Sequence, residues 1–206
     1  MRIRYFTDTD TLLIEFKDRL FAVGEVDSAE DAKMEQVVTA ASRQIDGYCQ
    51  RRFYAATQTR YFSPFVYDII FVDDLLSVTT LKTDTDGDHT YETTWATTDY
   101  DLEPFNAALE SQIQPYTAVR ITRNGRYRFP LIPRSVEIAG SWGYSSATPP
   151  AIKEACLLQS LRLFKRKDAI FGVIGSAEMG QLLVIPKLDP DVALLLGAFV
   201  KRSGMV

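Results

Sequence analysis

The residues of this chain that could do chemistry fall into a few runs, and spacing decides what each can be. Asp84-Thr85-Asp86-Gly87-Asp88 alternates carboxylates in the manner of a calcium loop. An EF-hand loop needs glycine at its sixth position and a bidentate glutamate at its twelfth. Here Gly87 is fourth and Trp95 is twelfth, so the run reads as a solvated Asp-Gly turn between β segments. The only histidine, His89, stands beside it, and no cysteine cluster or serine elbow is present, so triad and zinc chemistry lack their parts. The carboxylates Asp73, Asp74, Asp99 and Asp101 leave a carboxylate-dependent hydrolase as the enzymatic alternative. Gly172, Gly175 and Gly180 are too far apart for a nucleotide fingerprint and no Gly-Lys-Ser/Thr follows, so they read as a connector. The expectation is a protein that is not an enzyme, with no catalytic residues, no metal and no cofactor.

The cations are grouped too. Arg120, Arg123, Arg126, Arg128 and Arg134, interleaved with Tyr127 and Phe129, have the composition of a nucleic-acid surface, although alternation along strands equally gives a solvated sheet face. Arg162, Lys165, Arg166 and Lys167 cluster at the end of a helix. The net charge of −4 opposes tight binding to a phosphate backbone, which needs many uncompensated cations. That charge is uneven: residues 1–110 hold 10 Lys/Arg against 21 Asp/Glu, and residues 111–206 hold 13 against 6. The halves either pair within one molecule or favour head-to-tail contacts between copies.

Elements must position these groups. Residues 1–27 read as a β-hairpin, with Leu12-Leu13-Ile14-Glu15-Phe16 and Leu20-Phe21-Ala22-Val23 around the turn Lys17-Asp18-Arg19. Ser28 is the expected N-cap of a helix, with Asp31 closing a capping box, and Met34, Val37, Val38, Ala41, Ile45 and Tyr48 form its apolar face. From 57 to about 143, β-branched and aromatic residues dominate between turn signals, and Asn124-Gly125 predicts a hairpin joining 119–122 to 127–129. Ser135 to Trp142 predicts another strand. A largely apolar helix is expected from Pro150 to Lys167, and a last one with Asp189 as N-cap, Pro190 at its first position and Val192, Leu195, Leu196 and Phe199 as its stripe.

The fold class expected is α+β: a small helical bundle of three main helices (28–56 and 146–206), a β-rich insert (57–145) and the N-terminal hairpin (1–27). A chain of 206 residues can bury a core without cross-links, and Cys49 and Cys156, each within a helix, read as buried thiols. No apolar run approaches the roughly 20 residues of a membrane span, and Met1-Arg2-Ile3-Arg4 opens no signal peptide, so synthesis in a cytoplasm is expected.

Two separated stretches, in order, carry a family resemblance. Ala40-Ala41-Ser42-Arg43-Gln44-Ile45-Asp46-Gly47-Tyr48-Cys49-Gln50-Arg51-Arg52-Phe53-Tyr54 and Pro149-Pro150-Ala151-Ile152-Lys153-Glu154-Ala155-Cys156-Leu157-Leu158-Gln159, the latter followed by the loop Phe171 to Gly180 and by Leu188-Asp189-Pro190-Asp191-Val192, resemble the head-to-tail adaptor (connector) proteins of tailed bacteriophages. Asp99-Tyr100-Asp101-Leu102-Glu103-Pro104 and Gly140-Ser141-Trp142-Gly143-Tyr144 resemble the β insert of the longer adaptors.

The resemblance implies a structural virion protein at the neck, made in the bacterial host cytoplasm. About twelve copies would ring beneath the portal protein after packaging, extend the DNA channel and seat a stopper or tail-completion protein. DNA would pass without sequence-specific contact, with Arg162, Lys165, Arg166 and Lys167 as the candidates for the channel lining or a subunit contact, and no membrane is involved. The family's C-terminal docking into the portal would fall here on Phe199, Val200, Lys201, Arg202, Met205 and Val206. Tail completion or head decoration is the neighbouring alternative, and the N-terminal hairpin departs from the family, in which a short helical segment is usual.

Overall fold

The computed structural model describes residues 31–107, 114–123, 125–165, 173–174, 183–184 and 188–201. The expected hairpin at 1–27 and the cap at Ser28 lie outside them. The chain forms two compact units, one from the described parts of 1–51 and 148–206, the other from 52–147. The fold is α+β, with three helices and a six-stranded antiparallel sheet among the described residues.

In the helical unit, α1 spans Asp31–Cys49, α2 Pro150–Lys165 and α3 Pro190–Leu196. α1 buries Met34, Val38, Ala41, Ile45 and Cys49, at the three- and four-residue steps that make one helical face. Tyr48, expected on that face, is instead 45% exposed. The stripe turns one position further because Cys49 continues the step of four from Ile45. α2 begins at Pro150, where the missing amide costs nothing, and buries Ile152, Ala155, Cys156, Leu157 and Phe164. Between α1 and α2 the buried Ser42 Oγ lies 3.6 Å from Cys156 Sγ, and Gln159 Nε2 donates to Gln44 Oε1 at 2.8 Å. Polar groups closed off from water are thus partnered across the helix pair.

α3 starts as its sequence requires: Asp189 accepts from the Asp191 amide at 3.0 Å and Pro190 follows at the first helical position. It is short, so Phe199 lies beyond it, and Val192 and Leu196 are its buried residues. In the segment read as a plain connector, Val173–Ile174 (β7) pairs antiparallel with Leu183–Val184 (β8). Adjacent apolar residues on each side of the glycines supply two short partners for one another.

The second unit is the sheet. Its strands are β1 (Ala56–Phe62), β2 (Ile69–Thr83), β3 (Thr93–Thr94), β4 (Tyr100–Glu103), β5 (Tyr116–Ile121) and β6 (Val136–Trp142). The order is β1-β6-β2-β5-β4, with β3 also on β2. β2 is long enough to pair with β5 through its first half and β6 through its second, and its register shifts at 71–75, 75–77 and 78–80 bend it. The bend wraps the sheet around Ile70, Leu75, Leu81, Val119, Phe129, Ile138 and Trp142.

The Asn124-Gly125 hairpin is not formed as expected. Asn124 lies outside the described residues, and although the Gly125 amide closes a turn on Thr122 O at 2.9 Å, 127–129 adds no strand. Phe129 is drawn away instead, its amide to Tyr67 O at 3.0 Å and its ring onto Trp95. Burying two aromatic rings outweighs a local turn preference.

Candidate functional site

The acidic turn is built around one carboxylate. Asp84 Oδ1 accepts from the amides of Asp86 (3.1 Å) and Gly87 (2.7 Å), and Oδ2 from that of His89 (2.8 Å). Asp86 and Asp88 then serve the amides two residues on. Burial raises the Asp84 pKa, but the amides of Gly87, His89 and Asp86, with help from the Asp86 side chain, outweigh it and hold the carboxyl below its ordinary value. Carboxylate oxygens of Asp84, Asp86 and Asp88 come within 4.8 Å of one another. Their first duty is to the backbone of the loop 84–92, which joins β2 to β3. The residue at the twelfth position, Trp95, is buried in the sheet core, far from the role of a calcium ligand.

The carboxylates considered for hydrolysis are separated. Asp99 is buried, with Oδ2 accepting from the Ala96 amide (3.0 Å) and Oδ1 from the Arg126 amide (3.4 Å). Asp101 is exposed on β4, in register with Arg120 of β5. Asp73 is exposed and pairs with Arg60 at 2.9 Å, whereas its neighbour Asp74 is buried, as side chains alternate along an extended strand. Within each pair one carboxylate is buried and the other exposed.

The five arginines do not share one face. Arg120 sits on β5 and binds Glu103 (2.5 Å) and Asp68 (3.3 Å). Arg123, Arg126, Arg128 and Arg134 belong to the connection between β5 and β6, where Arg134 stacks over Tyr61 at 4.7 Å and Arg128 donates to Tyr127 O at 3.1 Å. The alternating sheet face expected of them is absent because 127–129 is not a strand.

In the helical unit, Arg162 donates to Asp189 at 3.2 Å, linking the end of α2 to the cap of α3. Lys165 is exposed, and Arg166 and Lys167 lie outside the described residues. Of the C-terminal group, the Phe199 amide bonds Leu196 O at 2.8 Å and the Lys201 amide bonds Cys49 O at 2.9 Å. Those bonds hold 199–201 against α1 and α3. Arg202, Met205 and Val206 lie outside the described residues.

One surface escaped the sequence. The β1–β2 connection (63–68) runs antiparallel to the β5–β6 connection, tied by the Arg134 amide to Ser63 Oγ at 2.8 Å and by the Phe129 amide to Tyr67 O at 3.0 Å. Between those ties Phe65 is 88% exposed, Tyr67 60% and Leu131 42%. The signal available was Pro64-Phe65-Val66-Tyr67, an apolar run interrupting a turn where polar residues are usual.

No family model matches this sequence, and no curated protein matches it. Solved structures do. A chain of the neck of the native gene transfer agent particle, computed with C12 symmetry, matches over 100% of this chain and 98% of its own, at 18% identity and a TM-score of 0.56. A chain of the virion of the native gene transfer agent particle matches over 94% and 90%, at 18% identity and TM-score 0.62. A chain of the neck of the empty particle, computed with C6 symmetry, matches over 94% and 90%, at 19% identity and TM-score 0.59. At such identities the likeness is one of fold: this chain has the fold of these virion and neck chains across both its units.

Proposed function

We propose that this protein is a structural subunit of the neck of a phage-like particle. The observation that carries the reading is the match over 94–100% of the chain to neck and virion chains, the neck ones solved with C12 and C6 symmetry. The protein would act as a head-to-tail adaptor: a ring of about twelve copies that docks on the portal protein after DNA packaging, lengthens the channel, and seats the stopper or tail-completion protein.

The chemistry of these groups supports a mechanical role. Of the carboxylates that a hydrolase would use, Asp99 is committed to backbone amides and Asp73 to Arg60, while Asp101 is exposed, and the acidic turn organises a loop. Arg120, considered for a nucleic-acid surface, and Arg162, considered for a channel lining or a subunit contact, are neutralised by carboxylates, which lets a polyanion slide past with little friction. Portal docking falls to the segment 199–206, whose first residues are anchored on α1 and α3 by backbone bonds. Among the described residues no helix is long and apolar enough to cross a membrane.

Electron microscopy of particles made without this gene, with the gene supplied in trans as control, tests the reading. DNA-filled or leaking heads beside free, complete tails are expected. Normal infectious virions would overturn it.

A further inference from the structure

The sheet unit exposes another aromatic residue, Phe71, in a setting opposite to that of Phe65. Ile70 and Val72 turn into the core, so Phe71 faces outward and is 59% exposed. It stands in register with Ala118 of β5 and, through it, with Glu103 of β4; the next row holds Ile69, Arg120 and Asp101. Carboxylates stand on the Phe71 face at Asp101 and Glu103, and at its border with the β1–β2 connection at Asp68, with Arg120 answering Asp68 and Glu103. The Phe65 surface has the converse rim. Arg128 and Arg134, both exposed, flank Phe65, Tyr67 and Leu131.

We infer that these two surfaces meet between neighbouring copies of this chain, the basic aromatic strap of one subunit lying on the acidic Phe71 face of the next. This rests on the ring reading above and names the contact that would hold the ring's sheet units together. Cyclic rings of more than two copies need heterologous contacts, in which unlike patches of one chain fit each other. The two patches are unlike in charge and alike in offering exposed aromatic side chains, the residue types that dominate interface energetics, with arginine on one side. Charge complementarity selects the basic strap of a second copy for the Phe71 face and excludes an acidic nucleic acid there. The pairing is directional, so it cannot close into a two-fold dimer through the Phe65 patch alone.

The two native cysteines are buried, so an introduced surface cysteine is the accessible thiol. Phe65→Cys and Phe71→Cys chains are supplied together, and separately, to assembling particles, which are purified and treated with a short bismaleimide. Phe65 and Phe71 are exposed, so neither change removes core packing. The expected result is a covalent dimer of this chain from the mixture and none from either variant alone. A dimer from either variant alone would mean like surfaces meet, and would overturn the pairing. Particles that contain the protein in normal amount yet give no mixed dimer, or in which the Phe65→Cys chain links to a different virion protein, would overturn it while leaving the ring reading intact. Absence of the wild-type protein from particles would remove both.

Discussion

The ring of Trp95 stacks on that of Phe129 with centroids 4.8 Å apart and planes 15° from parallel. The pair ties the segment after β3 to the long connection before β6, two stretches that share no strand ladder. Trp95 also donates its indole N–H to Thr83 Oγ1 at 3.0 Å, so a buried hydroxyl at the end of β2 is satisfied by the same side chain.

Trp95→Ala removes a buried indole and leaves a cavity, and is expected to cost about 3–5 kcal/mol of the sheet unit's stability. Trp95→Phe keeps a ring against Phe129 and loses the bond to Thr83, which points to a smaller loss, about 1–3 kcal/mol. Urea unfolding followed by circular dichroism measures both. Equal losses would show that the hydrogen bond, and not the ring, dominates.

Two glycines are expected to respond to alanine with opposite signs. Gly143 has φ +142, and a Cβ there would overlap the Tyr54 carbonyl, so Gly143→Ala must strain or displace the backbone where the chain leaves β6. Gly47 lies in α1, exposed, with nothing near a built Cβ, so Gly47→Ala should stabilise by about 0.5–1 kcal/mol. Thermal midpoints of the two variants are the readout.

The Asp84 carboxyl has a lowered pKa in the folded protein, so the folded state binds its proton more weakly than the unfolded chain. Its contribution is therefore full above the ordinary aspartate value of about 3.9 and is lost as pH falls through the lower folded value. Asp84→Asn keeps one acceptor oxygen and removes the charge. It should lower the thermal midpoint at neutral pH and flatten the fall in midpoint on acidification from about pH 5 to about pH 2.

The thiols predict an alkaline effect. Burial, with Asp46 adding to it, pushes Cys49 up to about 11, and burial does the same for Cys156 against the bonds from Ser42 and Ser160. The unfolded chain ionises near the ordinary thiol value of 9.0 while the fold retains the protons, so stability should fall from about pH 9 toward 11. A thiol reagent at about pH 8 should titrate neither cysteine in the native protein and both in denaturant. Rapid native reaction would contradict the burial of α1 and α2 against each other.

What was legible in the sequence was local. Asp189-Pro190 announces α3 through a side chain that reaches an amide two residues away, and Pro150 marks the first residue of α2. Val136–Trp142 alternates toward and away from the core, as its sequence promised. The readings that failed were those in which a distant partner decides. Asn124-Gly125 does support a turn, but Trp95 and Tyr67 claim Phe129 and dissolve the second arm. Asp99 and Asp101 are two apart in sequence, yet the Ala96 amide and the distant Arg126 amide take the first while the second is exposed. The aromatic strap was invisible for the same reason: exposure of Phe65 depends on which connections run beside it.

Ala56 and Trp142, near the two ends of the sheet unit, are Cα partners in register, and the Tyr144 amide returns to Arg52 O at 2.8 Å. The stretch therefore begins and ends at one place, closed by its own backbone. In hereditary terms it is a cassette: a lineage can lengthen, replace or discard it between two helices without having to reinvent them, so relatives are expected to diverge most sharply within 52–147.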